Sequence, residues 1–210
     1  MDINAVILTK SYKNGGYCVA GINLDTQSWI RFVSSDVTTH GAITDLDMQY
    51  DSFLVCKPFD IVRVPVLRYC PATLQPENYL IDRSKRWEKL GTMSLDEVLE
   101  IYPFDNDIFI FKNTWSYLNP VDAIDIDHSL VMVRVYDLQI NHDFQGSPAY
   151  KKCAFSYRGN QYYFMSITDP EYRHSEPTIF IGDAILIISI PEAPDNNNRL
   201  YKCVSKIIPI

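Results

Sequence analysis

The chain has 210 residues, 47% of them apolar and 21% charged, a globular composition that excludes a disordered or fibrous protein and suits one medium domain or two small ones. Its net charge of −7, from 19 basic and 26 acidic residues, argues against a nucleic-acid binder driven by bulk charge, while leaving room for a local basic groove.

Residues 3–9, INAVILT, predict a first strand rich in β-branched side chains. Asn14-Gly15-Gly16 predicts a turn, because Asn and Gly accept positive φ. YCVAGINL and WIRFVS then predict two more strands separated by Asp25-Thr26-Gln27-Ser28, giving an antiparallel meander. Residues 36–52 are polar and predict loops with a short helical turn. FDIVRVPVLRY, 59–69, predicts a long strand, and Pro65 inside it predicts an edge position, since proline donates no ladder hydrogen bond. Residues 71–92, with Pro71, Pro76 and a basic run around Trp87, predict a connector. A helix is predicted over 94–102: Ser94 and Glu97 form a capping box, Leu95, Val98, Leu99 and Tyr102 recur at helical spacing, and Pro103 ends it. Residues 103–128 read as irregular and acidic. The segment 93–128 holds Lys112 against eight carboxylates, so the whole imbalance of charge lies there and the flanking parts are neutral.

The last 80 residues read as β-structure again. SLVMVRVYDLQI predicts a strand, and KKCAFSYRGNQYYFMSITD predicts a hairpin turning at Gly159-Asn160. AILIISI and RLYKCVSKIIPI predict two more strands around the polar loop Pro191–Asn198, whereas 169–182 is too polar for a strand. The strand density predicts an all-β protein of two tandem small barrels of the oligonucleotide/oligosaccharide-binding (OB) kind with one short connecting helix. Residues 1–92 form the first barrel with its basic connector, 93–128 the helix and acidic linker, and 129–210 the second barrel.

The five cysteines, Cys18, Cys56, Cys70, Cys153 and Cys203, are dispersed, as are His40, His128, His142 and His174. This argues for reduced thiols in a cytoplasmic protein rather than a disulfide scaffold or a zinc site. The N-terminus lacks a signal-peptide pattern, and the longest apolar run, Ala184 to Ile188, is too short to span a bilayer, so no membrane association is expected. There is no phosphate loop, dinucleotide glycine fingerprint, nucleophile elbow or paired zinc histidines. Asp122, Asp125 and Asp127 lack the glycine and distal glutamate of a calcium loop and read as solvated acid. Cys18 reads as a structural thiol. No catalytic residue, metal or cofactor is expected.

Three sets of residues have the chemistry for binding. Lys10, Ser11, Tyr12 and Lys13 close the first strand, Tyr17 opens the second, and Trp29 and Arg31 open the third. If these ends converge on one rim, a phosphate or a planar ring would meet ammonium, guanidinium and aromatic groups. The competing reading makes Trp29 a core residue and pairs Arg31 with Asp25 or Asp36. The second set is Arg83, Lys85, Arg86 and Lys89 around Trp87, where cations would track phosphates and the ring would stack, unless Trp87 merely anchors a solvated loop. The third set is Lys151, Lys152 and Arg158 with Tyr157, Tyr162 and Tyr163. Alternation turns Cys153, Phe155 and Tyr157 to the core and Lys152, Ala154, Ser156 and Arg158 to solvent.

A first strand ending in K-S-x-K, followed by C-V-A-G and W-I-R-x-V-S, resembles the start of the bacterial dual OB-containing domain family. AFSYRGNQYYFMSITDPEY, running into Asp169-Pro170-Glu171, and the closing FIGDAILIISIPEA and RLYKCVSKIIPI are similar to the second barrel of that family. The resemblance implies two tandem OB-like barrels, with single-stranded nucleic acid or a nucleotide as ligand and other prokaryotic defence-system proteins as partners. A protein–protein adaptor is the alternative, since 14 tyrosines suit an interface as well as base stacking.

Overall fold

A computed structural model describes residues 1–13, 15–142, 151–172 and 178–210, with His142 by its backbone alone. Asn14 of the expected first turn, His174 and the side chain of His142 lie outside the described residues. The chain forms two compact units: Met1–Ala72 with Pro76–Pro103, and Thr73–Gln75 with Phe104–Ile210.

The first unit holds strands β1 (Asp2–Lys13), β2 (Gly16–Asn23), β3 (Trp29–Val33), β4 (Asp60–Tyr69), β5 (Asn78–Ile81) and β6 (Glu88–Thr92). β1 pairs antiparallel with β2, and β2 with β3. β3 runs parallel to β5, β5 antiparallel to β4, and β4 returns to β1. Five strands therefore close into a ring, and β6 adds to β4. Ile7, Val19, Ile30, Phe32, Val62 and Val64 fill the ring with Trp87, whose indole meets Phe32 edge-on at 5.3 Å. β1 and β2 come so close that a Cβ at Gly21 would run into the Val6 carbonyl oxygen.

Two expectations are corrected here. β4 is not an edge strand: β1 lies along one side, and β6 and then β5 along the other. Pro65 is tolerated because it falls between Arg63, the last partner of β6, and Val66, the first partner of β5, where the ladder changes strands. The stretch 71–92 is not a mere connector, because it contains β6 and also β5, which completes the ring. Helix α1 (Leu95–Ile101) starts as expected, with Ser94 Oγ accepting from the Glu97 amide and the Glu97 side chain accepting from the Ser94 amide.

The second unit holds β7 (Tyr117–Leu118), β8 (Leu130–His142), β9 (Lys151–Tyr157), β10 (Asn160–Ile167), β11 (Thr178–Ser189), β12 (Leu200–Tyr201) and β13 (Cys203–Pro209). Five of them close a barrel in the order β10-β13-β11-β8-β9, with β7 and β12 pairing separately. The cycle repeats that of the first unit: strands one, two and three form a meander, strand three runs parallel to strand five, and strand four closes on strand one. Both units are thus OB-like barrels. The hairpin turns at Arg158-Gly159, one residue earlier than expected; both have positive φ, and Tyr157 pairs with Asn160. β11 begins at Thr178, inside the stretch read as too polar for a strand, because its first residues pair with the end of β8.

The segment 93–128 is divided, with α1 in the first unit and residues from Phe104 in the second. There Ile110, Phe111, Leu118 and Ala123 join Val133, Phe155, Tyr162, Leu186 and Val204 in the core, so the acidic stretch is built into the barrel unit. All five cysteines are free thiols.

Candidate functional site

The first predicted set does not assemble. Lys13 pairs with Gly16 at the start of β2, whereas Trp29 pairs with Ile22 near its end. From Tyr17 to Ile22 at about 3.3 Å per residue is roughly 17 Å, so Lys13 and Tyr17 sit at the opposite end of the meander from Trp29. Arg31, opposite Ala20, lies one row from Lys10, which pairs with Val19. Ser11 is buried. Trp29 is 6% exposed, packs edge-on against Tyr102 at 5.4 Å, and buries its Nε1 without a described partner. Arg31 is 3% exposed and its Nε donates to Glu77 Oε1 at 3.1 Å; that partner is neither Asp25 nor Asp36.

What remains at the β1–β2 end is a small cluster. Lys10 Nζ lies 2.7 Å from Asp45 Oδ1 and 4.4 Å from the Tyr17 ring centre, and exposed Tyr12 meets Tyr17 edge-on. Burial, then Asp45 and Tyr12, raise the Tyr17 phenol above its ordinary value. Lys13 pairs with no carboxylate among the described residues.

The basic connector is neutralised where it stands. Arg83 reaches Asp47 at 2.7 Å and Asp36 at 3.3 Å, and Lys85 lies 3.6 Å from Asp82. Arg86 bonds Gln49, lies 3.7 Å from Asp51 and covers the Phe53 ring, while Lys89 pairs with buried Asp60. The Asp47 carboxyl shows how tightly: burial would raise it, yet bonds from Thr44 and Arg83 hold it below the usual range. Trp87 is core and has no free face for a base. A phosphate here would have to displace carboxylates from most of these cations.

The second barrel presents a different surface. Along β8, Arg134, Tyr136 and Gln139 face solvent between buried Val133, Val135 and Leu138. β9 alternates as expected: Lys151, Cys153, Phe155 and Tyr157 are buried and Lys152, Ala154 and Ser156 are half-exposed. On β10 the alternation breaks between Tyr162 and Met165, where the register with β9 shifts. This bulge, with Phe164 at positive φ, turns two successive rings outward. Phe180 pairs with Gln139, Gln139 pairs with Ala154, and Ala154 lies opposite the bulge. A row across four strands therefore has Phe180 at one end and Tyr163 and Phe164 at the other, with Tyr136 in the adjoining row.

These rings are available to a ligand: Phe164 is 72% exposed, Phe180 70%, Tyr163 54% and Tyr136 44%. With strands about 4.8 Å apart, the row spans roughly 14 Å. Arg134 sits over Tyr136 with its guanidinium carbon 5.6 Å from the ring centre and reaches Asp183 only at 3.5 Å. Arg158, at the hairpin tip, is exposed and pairs with no carboxylate among the described residues. Such a face can stack planar groups while two guanidinium groups meet phosphates. Sequence reading singled out Tyr163 and Arg158 but missed Tyr136, Phe164 and Phe180. The Tyr-Tyr-Phe run at 162–164, too long to alternate, was the available signal for the bulge.

Among the described residues, no group of three or more His, Cys, Asp or Glu could hold a metal ion, and no helix is long and apolar enough to cross a membrane. A model of the family described as dual OB-containing domain matches residues 3–207. No curated protein matches the chain.

Proposed function

The chain belongs to the dual OB-containing domain family, and from that premise we propose that it is a non-catalytic module that holds single-stranded nucleic acid or a nucleotide on the outer face of its second barrel. The observation that carries the reading is the row of exposed rings across β11, β8, β9 and β10, with Arg134 and Arg158 beside it. OB barrels bind on the face of their second and third strands, which here are β9 and β10. Base stacking is sequence-tolerant, because every base has a π face. The family resemblance supports a place within a multi-protein prokaryotic defence system, and the five free thiols support a reducing cytoplasm.

Fluorescence anisotropy with labelled single-stranded oligonucleotides tests the reading. Phe164→Ala, Phe180→Ala and Tyr163→Ala should each weaken binding by about 1–3 kcal/mol with unchanged melting, because all three rings project into solvent. Trp29→Ala and Trp87→Ala should act through stability alone. No binding by folded wild type, or binding indifferent to all three ring substitutions, would discard the proposal.

One observation favours the adaptor reading. The connection between β3 and β4 exposes Val37, Leu46, Phe53 and Leu54, which suit a protein contact better than a phosphate. In pull-downs, Leu46→Glu and Phe53→Glu should then lose a partner that the ring variants retain.

A further inference from the structure

We propose that a cleft in the second unit, floored by apolar side chains and rimmed by carboxylates, docks a basic segment of a partner protein: an extended stretch in which Arg or Lys alternates with aliphatic residues. The site uses none of the outward rings of the β-face and goes beyond the nucleic-acid reading.

The cleft is small, about 80 Å³, enough to receive the end of one side chain, so the rest of the segment would lie across its rim. Its floor is Ile110, Phe111, Val131, Val133 and Tyr157. Its rim carries Asp105, Asp107, Asp125 and Asp127, with His128 against Asp127 and one cation, Lys112. Among the described residues neither Lys nor Arg pairs with Asp107, Asp125 or Asp127. The chain's whole excess of negative charge lies in 93–128, the segment that supplies this rim. Next to the carboxylates on the same segment, Ile108, Val121 and Ile124 are left exposed.

That combination selects the occupant. An arginine or lysine lays an aliphatic stem on an apolar surface and keeps its charged head at the wet edge, where the carboxylates stand. Aliphatic residues between the cations would cover Ile108 and Ile124. A nucleic acid would meet repulsion at the rim.

The wall is also set before any partner arrives. Tyr157 Oη donates to the Asp107 carbonyl at 2.8 Å, and Tyr162 Oη accepts from the Ile110 amide at 2.9 Å. Lys202 Nζ donates to the Ile110 and Asn113 carbonyls at 2.6 and 2.7 Å. The Asp105 backbone pairs with Met132 of β8. A segment fixed by buried anchors loses little freedom when a peptide binds, so contact energy is kept as affinity.

The test uses the full chain and fluorescein-labelled twelve-residue peptides of alternating Arg and Leu, Arg and Gly, and Glu and Leu. The Arg–Leu peptide should bind, and the other two should bind about tenfold more weakly or worse. Asp125→Asn with Asp127→Asn, and separately Ile124→Ser, should each weaken Arg–Leu binding by about tenfold at unchanged melting temperature. Equal binding of the Arg–Gly peptide would reduce the effect to bulk charge and overturn the proposal. So would Arg–Leu binding that ignores the rim substitutions, or no binding at all.

Discussion

At the scale of single residues, Lys202 carries an amine into the interior of the second barrel unit, fully buried, with acceptors at the Ile110 carbonyl and at the Asn113 carbonyl and side chain. Burial pushes its pKa down from 10.5 to about 7. The unfolded chain, with an ordinary lysine, holds more protons between those values, so stability rises with pH across that window. Below pH 7 both states are protonated and the cost of burying the charge is fully present. The buried thiols Cys56 and Cys153 are pushed up by burial and act oppositely once unfolded thiols ionise, so the clean window is about pH 7 to 8.5. Urea unfolding should give a larger free energy at pH 8.5 than at 7, and Lys202→Met should flatten that slope. Lysines and arginines were the residues least legible from sequence. Arg31 stands between aromatics like a phosphate contact, but its partner Glu77 is 46 positions away, and no local pattern reports such a pair.

At the scale of elements, local chemistry was readable and distant pairing was not. The capping box that starts α1 is complete within four residues, and the meander follows from alternating apolar side chains joined by short turns. β5 has only four residues, Asn78–Ile81, two of them half-buried, and it exists because it lies beside β3 and β4. Phe164 and Phe180 were equally hidden: one owes its exposure to a bulge and the other to the reach of β11 past its apolar run. Gly21 shows the strictness of the β1–β2 approach. Gly21→Ala should cost at least about 1–3 kcal/mol, read as a lowered denaturant midpoint, because the obstacle is the Val6 backbone and not a flexible side chain.

At the scale of the whole molecule, a chain of net charge −7 and isoelectric point near 5.0 repels polyanions at a distance. Affinity for a single strand must then come mainly from stacking, with about two phosphate contacts from Arg134 and Arg158. A slope of about −0.7 per contact predicts that raising salt from 50 to 200 mM weakens binding by less than about tenfold, against 10³–10⁵ for a protein with 6–10 contacts. Anisotropy titrations at both concentrations check this, and a steep slope would point to a cationic surface that has not been identified. The double-barrel architecture itself was legible, because strand density and turn spacing recur in both halves; the ring order was not, since it depends on which distant strands meet.

In each ring a long-range seam joins the third and fifth strands, side by side and parallel. Until that seam shuts, the polypeptide is a curled sheet with two raw borders, each offering unpaired amides and carbonyls to any neighbouring chain. Strands that meet across tens of intervening residues find one another slowly, in the millisecond-to-second range of all-β proteins. The hazard for this protein during synthesis is therefore the interval before closure, when a crowded population could zip together along borders that ring closure later pairs within the chain.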